Sequence, residues 1–401
     1  IPKDSRALHL ELSMKFGFIA HARGINELRK AFLLRHDISL IPFRSSENIQ
    51  SKALEEGLIR DIYTYRKIYS TRHVDCSGRT FCIFLTPEQL LENQTRAVDL
   101  VVEACCQAKE WGAEIVGLGA MTAVVGSRGK EINANSPVPV TTGNSLTVYS
   151  SLKAFKEVMK KLEIDIYGQK IVLVGFPGSI TLAIAKTLLK EGLKLVLVSR
   201  RQTRYLQRFL SDIDETRQGN VEITRDLSDA LNRGKIVFSA TSTGNIIDPD
   251  SLQPGSIVFD IAQPRDVIQK KAKRKDVLII DAGTISLPKT SGKAIHSVSL
   301  PFFPFIPYPI WAWEYCSSLF VNYSGLGPLY IPSCLGETIT LALEERKDSF
   351  SIGRELDLEK IEEIGKLSEK HGFIFDHFLS FDQEIKKQNY ECVQKAIKKT
   401  D

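Results

Sequence analysis

The stretch YIPSCLGETITLALEE, residues 330–345, places a cysteine where a helix should begin. Cys334 follows Pro332 and Ser333 and opens a run with helical apolar spacing. A thiol at a helix start feels the positive end of the helix dipole and free backbone N–H groups. Both favour the thiolate, which is the nucleophilic form. The alternative is a small buried side chain, the usual role of a free cysteine. Glu337 can cap the same helix through its N3 position, a structural role rather than proton transfer.

A second chemistry is written in residues 170–201, KIVLVGFPGSITLAIAKTLLKEGLKLVLVSRR. This reads as strand, glycine turn, helix and strand, one βαβ unit. Gly175 allows the tight turn, Gly178 lets the backbone approach a pyrophosphate, and Ser179 and Ile180 open the helix that would face it. The third glycine of the dinucleotide fingerprint is replaced by Thr181. The second strand ends in Ser199, Arg200 and Arg201, without the acid that holds the ribose hydroxyls of NAD. Arginine there suits the 2′-phosphate, so NADPH is the expected cofactor. A solvated basic face, with Arg204 and Arg208, is the other reading. Thr241 in SATSTGNIID (239–248) and Gly283 in DAGTISLP (281–288) follow later strands, where small residues line a dinucleotide crevice.

The elements that must position these residues form an α/β pattern. Residues 15–20 and 79–85 read as strands, 24–35 as a helix, and 86–112 as one long helix opened by Thr86-Pro87. Residues 114–121 read as a strand ending on glycines, and 144–164 as a helix. Further strands are expected at 235–240, 256–260 and 277–281. The expected fold is a Rossmann-type doubly wound NADP-binding domain (144–330), an N-terminal α/β substrate domain (1–143), and a C-terminal helical segment (331–401). That last segment carries Cys334 and packs back on the N-terminal domain. The tail beyond His377 reads as a surface or frayed helix, and the Cys105-Cys106 pair as core packing.

The 401 residues suit two or three domains, and the net charge of +5 carries no nucleic-acid motif with it. Seven cysteines in no metal-ligand spacing fit reduced thiols, no metal and a cytoplasmic protein. No long apolar run opens the chain, so no signal peptide is expected. The apolar segment 300–320 is too rich in proline for a spanning helix. It could touch a membrane surface, be a buried loop or make a dimer contact, and would wall an acyl tunnel if the substrate carries a long chain.

Several segments in one order give a more specific signal. FGFIAH (16–21), SGRTFCIFLTPEQLL (77–91), GLGAMTAVVG (117–126), TTGNSLTVY (141–149), CLGETITLALE (334–344) and LEKIEEIGKLSEKHGF (358–373) resemble the cyanobacterial long-chain acyl-(acyl carrier protein) reductases, which form fatty aldehydes. The resemblance implies NADPH-dependent reduction of a fatty acyl thioester, on acyl carrier protein or coenzyme A, through a Cys334 acyl-enzyme. Hydride then reaches the acyl carbon and the hemithioacetal releases aldehyde. It places Thr142 and Asn144 where cofactor and substrate meet; either these side chains or the backbone N–H groups at the start of the Cys334 helix would be the oxyanion donors. It also matches His21 and His371, either of which could be an acid. An aldehyde-consuming enzyme would act downstream. Basic residues in 265–275 could attract an acidic carrier, or form a solvated helix face. Two other readings remain: an NADP-dependent dehydrogenase of a small or lipid substrate without covalent chemistry, and a non-catalytic NADP-binding regulator.

Overall fold

The computed structural model describes residues 13–26, 28, 46–200, 204–271, 273–288, 296–297 and 330–399. Arg201, the apolar 300–320 segment and most of the 24–35 helix lie outside the described residues.

Two six-stranded sheets organise the chain. The first contains β1 (Lys15–His21), β2 (Ile59–Tyr69), β3 (Asp75–Ile83), β4 (Ile115–Leu118), β5 (Val140–Thr141) and the short strand His296–Ser297. Here β1 runs parallel to both β3 and β4, β5 is parallel to β4, and β2 is antiparallel to β3. Helix α1 (Ser46–Glu56) precedes β2. The long helix expected from Thr86 onward is two helices, α2 (Pro87–Glu92) and α3 (Gln94–Trp111). Asn93 breaks it with φ −116° and ψ 58°, after a capping box between Thr86 and Gln89 has fixed the start of α2. Only half of the cysteine pair in α3 is core: Cys105 is buried and Cys106 exposed.

The second sheet contains β6 (Lys170–Val174), β7 (Lys194–Val198), β8 (Val221–Thr224), β9 (Ile236–Ser239), β10 (Ile257–Asp260) and β11 (Leu278–Asp281). All neighbours are parallel, in the order β8-β7-β6-β9-β10-β11. That is the doubly wound dinucleotide order, with its switch point between β6 and β9. The strand sequences explain the two covered faces. Leu, Ile and Phe at 171, 173, 195, 197, 236, 238, 257 and 259 share one core cluster, while Val172, Val174, Val196, Val198, Val237 and Val258 share another. Side-chain direction alternates along a strand, so each face receives one set.

Between the sheets runs α5 (Asn144–Leu162), preceded by α4 (Val125–Asn135), whose residues 126–129 leave the right-handed helix and form a left-handed loop. Its Leu146 belongs to the first core and its Phe155 and Val158 to the second, so one helix joins both domains. The nucleotide helix α6 (Ser179–Lys190) is followed by α7 (Arg204–Ser211). Segment 331–401 divides. Helix α8 (Ser333–Leu343) lies on the first sheet, where a Cβ at Gly117 would meet Thr338 Oγ1 at 2.0 Å. Helix α9 (Leu358–Lys370) packs on α5, its Gly365 against the Tyr149 ring. The tail is neither frayed nor merely superficial: α10 (Lys387–Ile397) buries Tyr390 and Val393 in the core of the second domain. Their three-residue spacing puts both on one helical face.

The basic stretch 265–275 is not a helix face. Among its described residues it holds a single short turn, Gln269–Lys271, and three of its six cations are paired, Arg265 with Asp281 and Asp382, Lys271 with Asp248, and Arg274 with Asp276, while Lys270, Lys273 and Lys275 are exposed. Among the described residues no helix is long and apolar enough to cross a membrane, and no cluster of His, Cys, Asp and Glu could hold a metal.

Candidate active site at the junction of the two domains

The glycine turn sits at the switch point. Gly175 has φ +92°, and a Cβ there would lie 2.6 Å from the Ala240 carbonyl at the end of β9. Both constraints call for glycine. Thr181 replaces the third glycine without opening the turn. Gly178 N–H donates to its hydroxyl at 3.1 Å, and that hydroxyl donates to Gly175 O at 3.2 Å. The first intrahelical bond of α6 is Leu182 N–H to Gly178 O. The N–H groups of 179–181 therefore precede the helix's own acceptors and lie at its positive end. Ser179 is buried and Ile180 half-buried. At the tip of β7, Ser199 is buried and Arg200 exposed.

Asp266 organises the end of β9. It accepts from the Ser239 hydroxyl at 2.5 Å and from Thr241 N–H and Oγ1–H at 2.9 and 2.5 Å. The Thr241 hydroxyl is thus committed to a carboxylate. Asp260, buried beside it, is pushed up to about 7 by burial despite three backbone N–H donors. Gly283 follows β11, and a Cβ there would meet only ordinary contacts, Ile261 Cγ2 at 3.6 Å being nearest. A small side chain would fit there without displacing a neighbour.

Cys334 adjoins this crevice. The strand Thr284–Ser286 pairs antiparallel with Tyr330–Pro332, which leads directly into α8. Ser333 N–H donates to Gly283 O at 2.8 Å, and the Ser333 and Ser150 hydroxyls are 2.8 Å apart. On the other side, Gly143 has φ +72°, and a Cβ there would lie 2.2 Å from Cys334 Cα. Cys334 is half-buried, and burial pushes its thiol up to about 11. Backbone N–H groups of Ala120, Leu335 and Cys334 itself oppose that shift, and the charge of Glu337 adds to it.

Glu337 caps a different helix from the one expected. Its fully buried carboxylate accepts from Leu146 N–H at 2.8 Å, in the first turn of α5, and from the Thr141 hydroxyl. At Glu337's actual position in α8 the backbone N–H groups are already inside the helix, so its side chain reaches across to the neighbouring helix start. Burial raises its pKa although these donors favour the charge.

The remaining candidates separate. Thr142 donates its hydroxyl to Ser351 O at 2.5 Å, away from the cysteine. Asn144 Nδ2 donates to Ser179 Oγ at 3.2 Å and so ties the start of α5 to the start of α6. His21 is buried, with Nδ1 2.8 Å from Ala22 O, and its Nε2 accepts from Met121 N–H at 3.2 Å. That holds the turn whose Ala120 N–H meets Cys334. His371 caps α9 and lies between Ser70 Oγ (2.6 Å) and Glu344 Oε1 (2.7 Å). Those partners belong to the β2–β3 connection and the end of α8, not to the cysteine end of that helix.

The shikimate / quinate 5-dehydrogenase family model matches residues 156–285, the nucleotide domain. Aminotransferase PigE of a Serratia species is 35% identical over 385 residues, 94% of this chain and 41% of that protein. The chain thus spans about two fifths of that relative's length. The long-chain acyl-[acyl-carrier-protein] reductase of Synechococcus elongatus is 23% identical over 312 residues, 74% of this chain and 82% of that one. L-tryptophan dehydrogenase from Nostoc punctiforme aligns over 96% of this chain and 89% of that one at 11% identity and a TM-score of 0.42. These findings correct the family resemblance stated above. The chain is not assigned to the long-chain acyl-reductases, because the PigE match is stronger in identity and extent. The α/β fold with a doubly wound dinucleotide-type domain stands, and NADPH is consistent with it.

Proposed function

We propose that this chain is an NADP(H)-dependent oxidoreductase that transfers hydride to a carbonyl compound, or from the corresponding alcohol, held between the nucleotide sheet and the start of α8. One observation carries the reading. Ser333 N–H is bonded to Gly283 O, so the residue before Cys334 is fastened to the carboxyl end of β11, where the crevice of a doubly wound sheet lies. The residues present fit a dinucleotide: a turn whose Gly175 admits no Cβ, and an open helix start beside it. When bound, the nicotinamide supplies or accepts the hydride. The protein's part is to orient and to exclude water. Gly143 lets the start of α8 approach α5, and Asn144 ties α5 to the nucleotide helix. The family match over 156–285 supports a dehydrogenase. A thiol held near 11 needs no covalent role in that reading.

A covalent reading is favoured by one specific feature, the backbone N–H groups of Ala120, Leu335 and Cys334 at the sulfur. Such donors would stabilise a thiolate and then an acyl thioester to be reduced to aldehyde. Stopped-flow oxidation of NADPH against ketones, aldehydes and acyl thioesters, with Cys334→Ser alongside, separates the two. Turnover that survives in the variant supports the dehydrogenase. Turnover only with thioesters, lost in the variant and accompanied by an acyl mass on the parent, supports the covalent route. NADPH that neither binds nor is oxidised would refute both.

A further inference from the structure

Two arginines from outside the nucleotide domain meet at its glycine turn. Gly353 N–H donates to Arg128 O at 2.9 Å, which fastens the loops carrying Arg128 and Arg354 side by side. The Arg354 guanidinium donates to Pro177 O inside the turn and lies over the Tyr205 ring of α7, 4.3 Å from its centre. Its Nε is buried and has no hydrogen-bond partner among the described residues. The half-buried Arg128 side chain makes no hydrogen bond or ion pair among the described residues. Burial, and then the charge of Arg354, pull Arg128 down to about 10.

This pair differs from several of the chain's other partly buried arginines, although Arg96, whose Nε donates to Leu54 O, and Arg217 also lack a carboxylate at ion-pair distance among the described residues. Arg265 is matched by Asp281 and Asp382, Arg274 by Asp276, and Arg346 by Asp348 and Glu363. Two like charges held together in a partly desolvated place repel, and the backbone adds strain. Ser127 and Arg128 sit at φ 54° and 59° between two glycines that are also left-handed. Guanidinium forks without carboxylates match the oxygens of a phosphate.

We propose that Arg128 and Arg354 form a clamp that reaches over the glycine turn from outside the nucleotide domain and grips the pyrophosphate of the dinucleotide. The clamp rests on the dinucleotide reading above and deepens it. It sets a phosphate between the open start of α6 and two cations on loops 126–129 and 353–354, so binding draws the two domains together over the cofactor.

Calorimetric titration of the full chain with NADPH and with NADH tests it, using the parent, Arg128→Asn and Arg354→Lys. Asparagine is chosen because it tolerates positive φ. Each variant should weaken both dinucleotides, Arg128→Asn by about tenfold and Arg354→Lys by less, because lysine keeps the charge but loses the fork. Without cofactor, Arg128→Asn should melt at a higher temperature than the parent, since a repulsion has gone; a merely structural arginine would give a lower one. Unchanged affinity for both dinucleotides in Arg128→Asn, with the parent binding normally, would overturn the clamp and leave the dinucleotide reading intact. A loss confined to NADPH would overturn the pyrophosphate assignment in favour of the 2′-phosphate. A parent that binds neither dinucleotide would remove the reading and the clamp together.

Discussion

Helices α6 and α8 both begin beside the start of α5, yet they use their first N–H groups in opposite ways. In α6 the chain folds the turn with the Thr181 hydroxyl and leaves the N–H groups of 179–181 ahead of any intrahelical acceptor. In α8, Ser333 N–H is taken by Gly283 O, while the N–H groups of Cys334 and Leu335 turn to the cysteine sulfur. One start is open to an external anion; the other is filled by the chain's own side chain. The start of α5, between them, is filled by Glu337 and Ser351, which accept from Leu146 and Ser145 N–H. A helix terminus is therefore not a site by position alone. What occupies its orphan donors decides whether a ligand can.

The largest effect that would sharpen this contrast is kinetic. With the thiol near 11, only a very small thiolate fraction exists at neutral pH, so alkylation of Cys334 by iodoacetamide should accelerate about a thousandfold from pH 7 to pH 10 without levelling. The sign follows from burial, which disfavours the charged form and holds the proton on sulfur. The folded state then binds that proton more tightly than the unfolded chain, so stability falls as pH rises from the ordinary thiol range toward 11. Peptide mapping of the alkylated protein over that range gives the rate for this residue. A plateau near pH 8 would mean that the N–H groups outweigh burial, and the start of α8 would then resemble that of α6.

Next comes the filled start of α5. Glu337→Ala would leave Leu146 N–H and the Thr141 hydroxyl buried without their acceptor and open a cavity. A loss of about 4 kcal/mol is expected in urea unfolding. Glu337→Gln keeps an acceptor for one of the two and should lose less than half of that. Equal losses in the two variants would show that shape rather than donor satisfaction holds the helix start. Gly143→Ala addresses the same junction through sterics. The new Cβ would sit 2.2 Å from Cys334 Cα on a left-handed backbone, so α8 must move or the strain remain, at about 3 kcal/mol. Cys334 in that variant should also alkylate faster at neutral pH if α8 shifts outward. An unchanged rate with lowered stability would mean that the loop moves instead.

These two positions show what was legible beforehand. The nucleotide domain was written locally: valines alternating with larger apolar residues at 171–174 and 195–198 define a strand buried on both faces, and Gly175 and Gly178 mark the turn. Cys334 stood out because its neighbours in sequence, Pro332 and Ser333, mark a helix start. Glu337 was misread as a cap of its own helix because the partner it serves, Leu146, is 191 residues away. Asn93 was passed over because one non-helical residue interrupts an otherwise continuous apolar spacing. Arg128 and Arg354 gave no signal singly. Two glycines around Ser127-Arg128, and Gly353 before Arg354, hinted only at turns, and it is the fold that brings the cations to one place. The tail is expected as a surface or frayed helix, and its buried face is also legible, since Tyr390, Val393 and Ile397 repeat at helical spacing, but its high charge masks the stripe.

The smallest expected effect tests the open start itself. Thr181→Val keeps the β-branched shape and removes the hydroxyl that bonds Gly178 N–H and Gly175 O. The buried groups of the turn lose one partner, which should lower stability by about 1 kcal/mol. If the turn is held in shape mainly by that hydroxyl, NADPH affinity should fall further than stability does, because the N–H groups of 179–181 would no longer be aimed together. If Gly175 packed against Ala240 already fixes the turn, affinity should remain while stability falls. Thr181→Gly restores the usual third glycine but removes both the hydroxyl and the apolar contacts of a buried residue. It should therefore be less stable than Thr181→Val. Parity between the two would show that the fingerprint's third position tolerates threonine only for its size, and the hydroxyl bridge would cease to explain how this turn does without its third glycine.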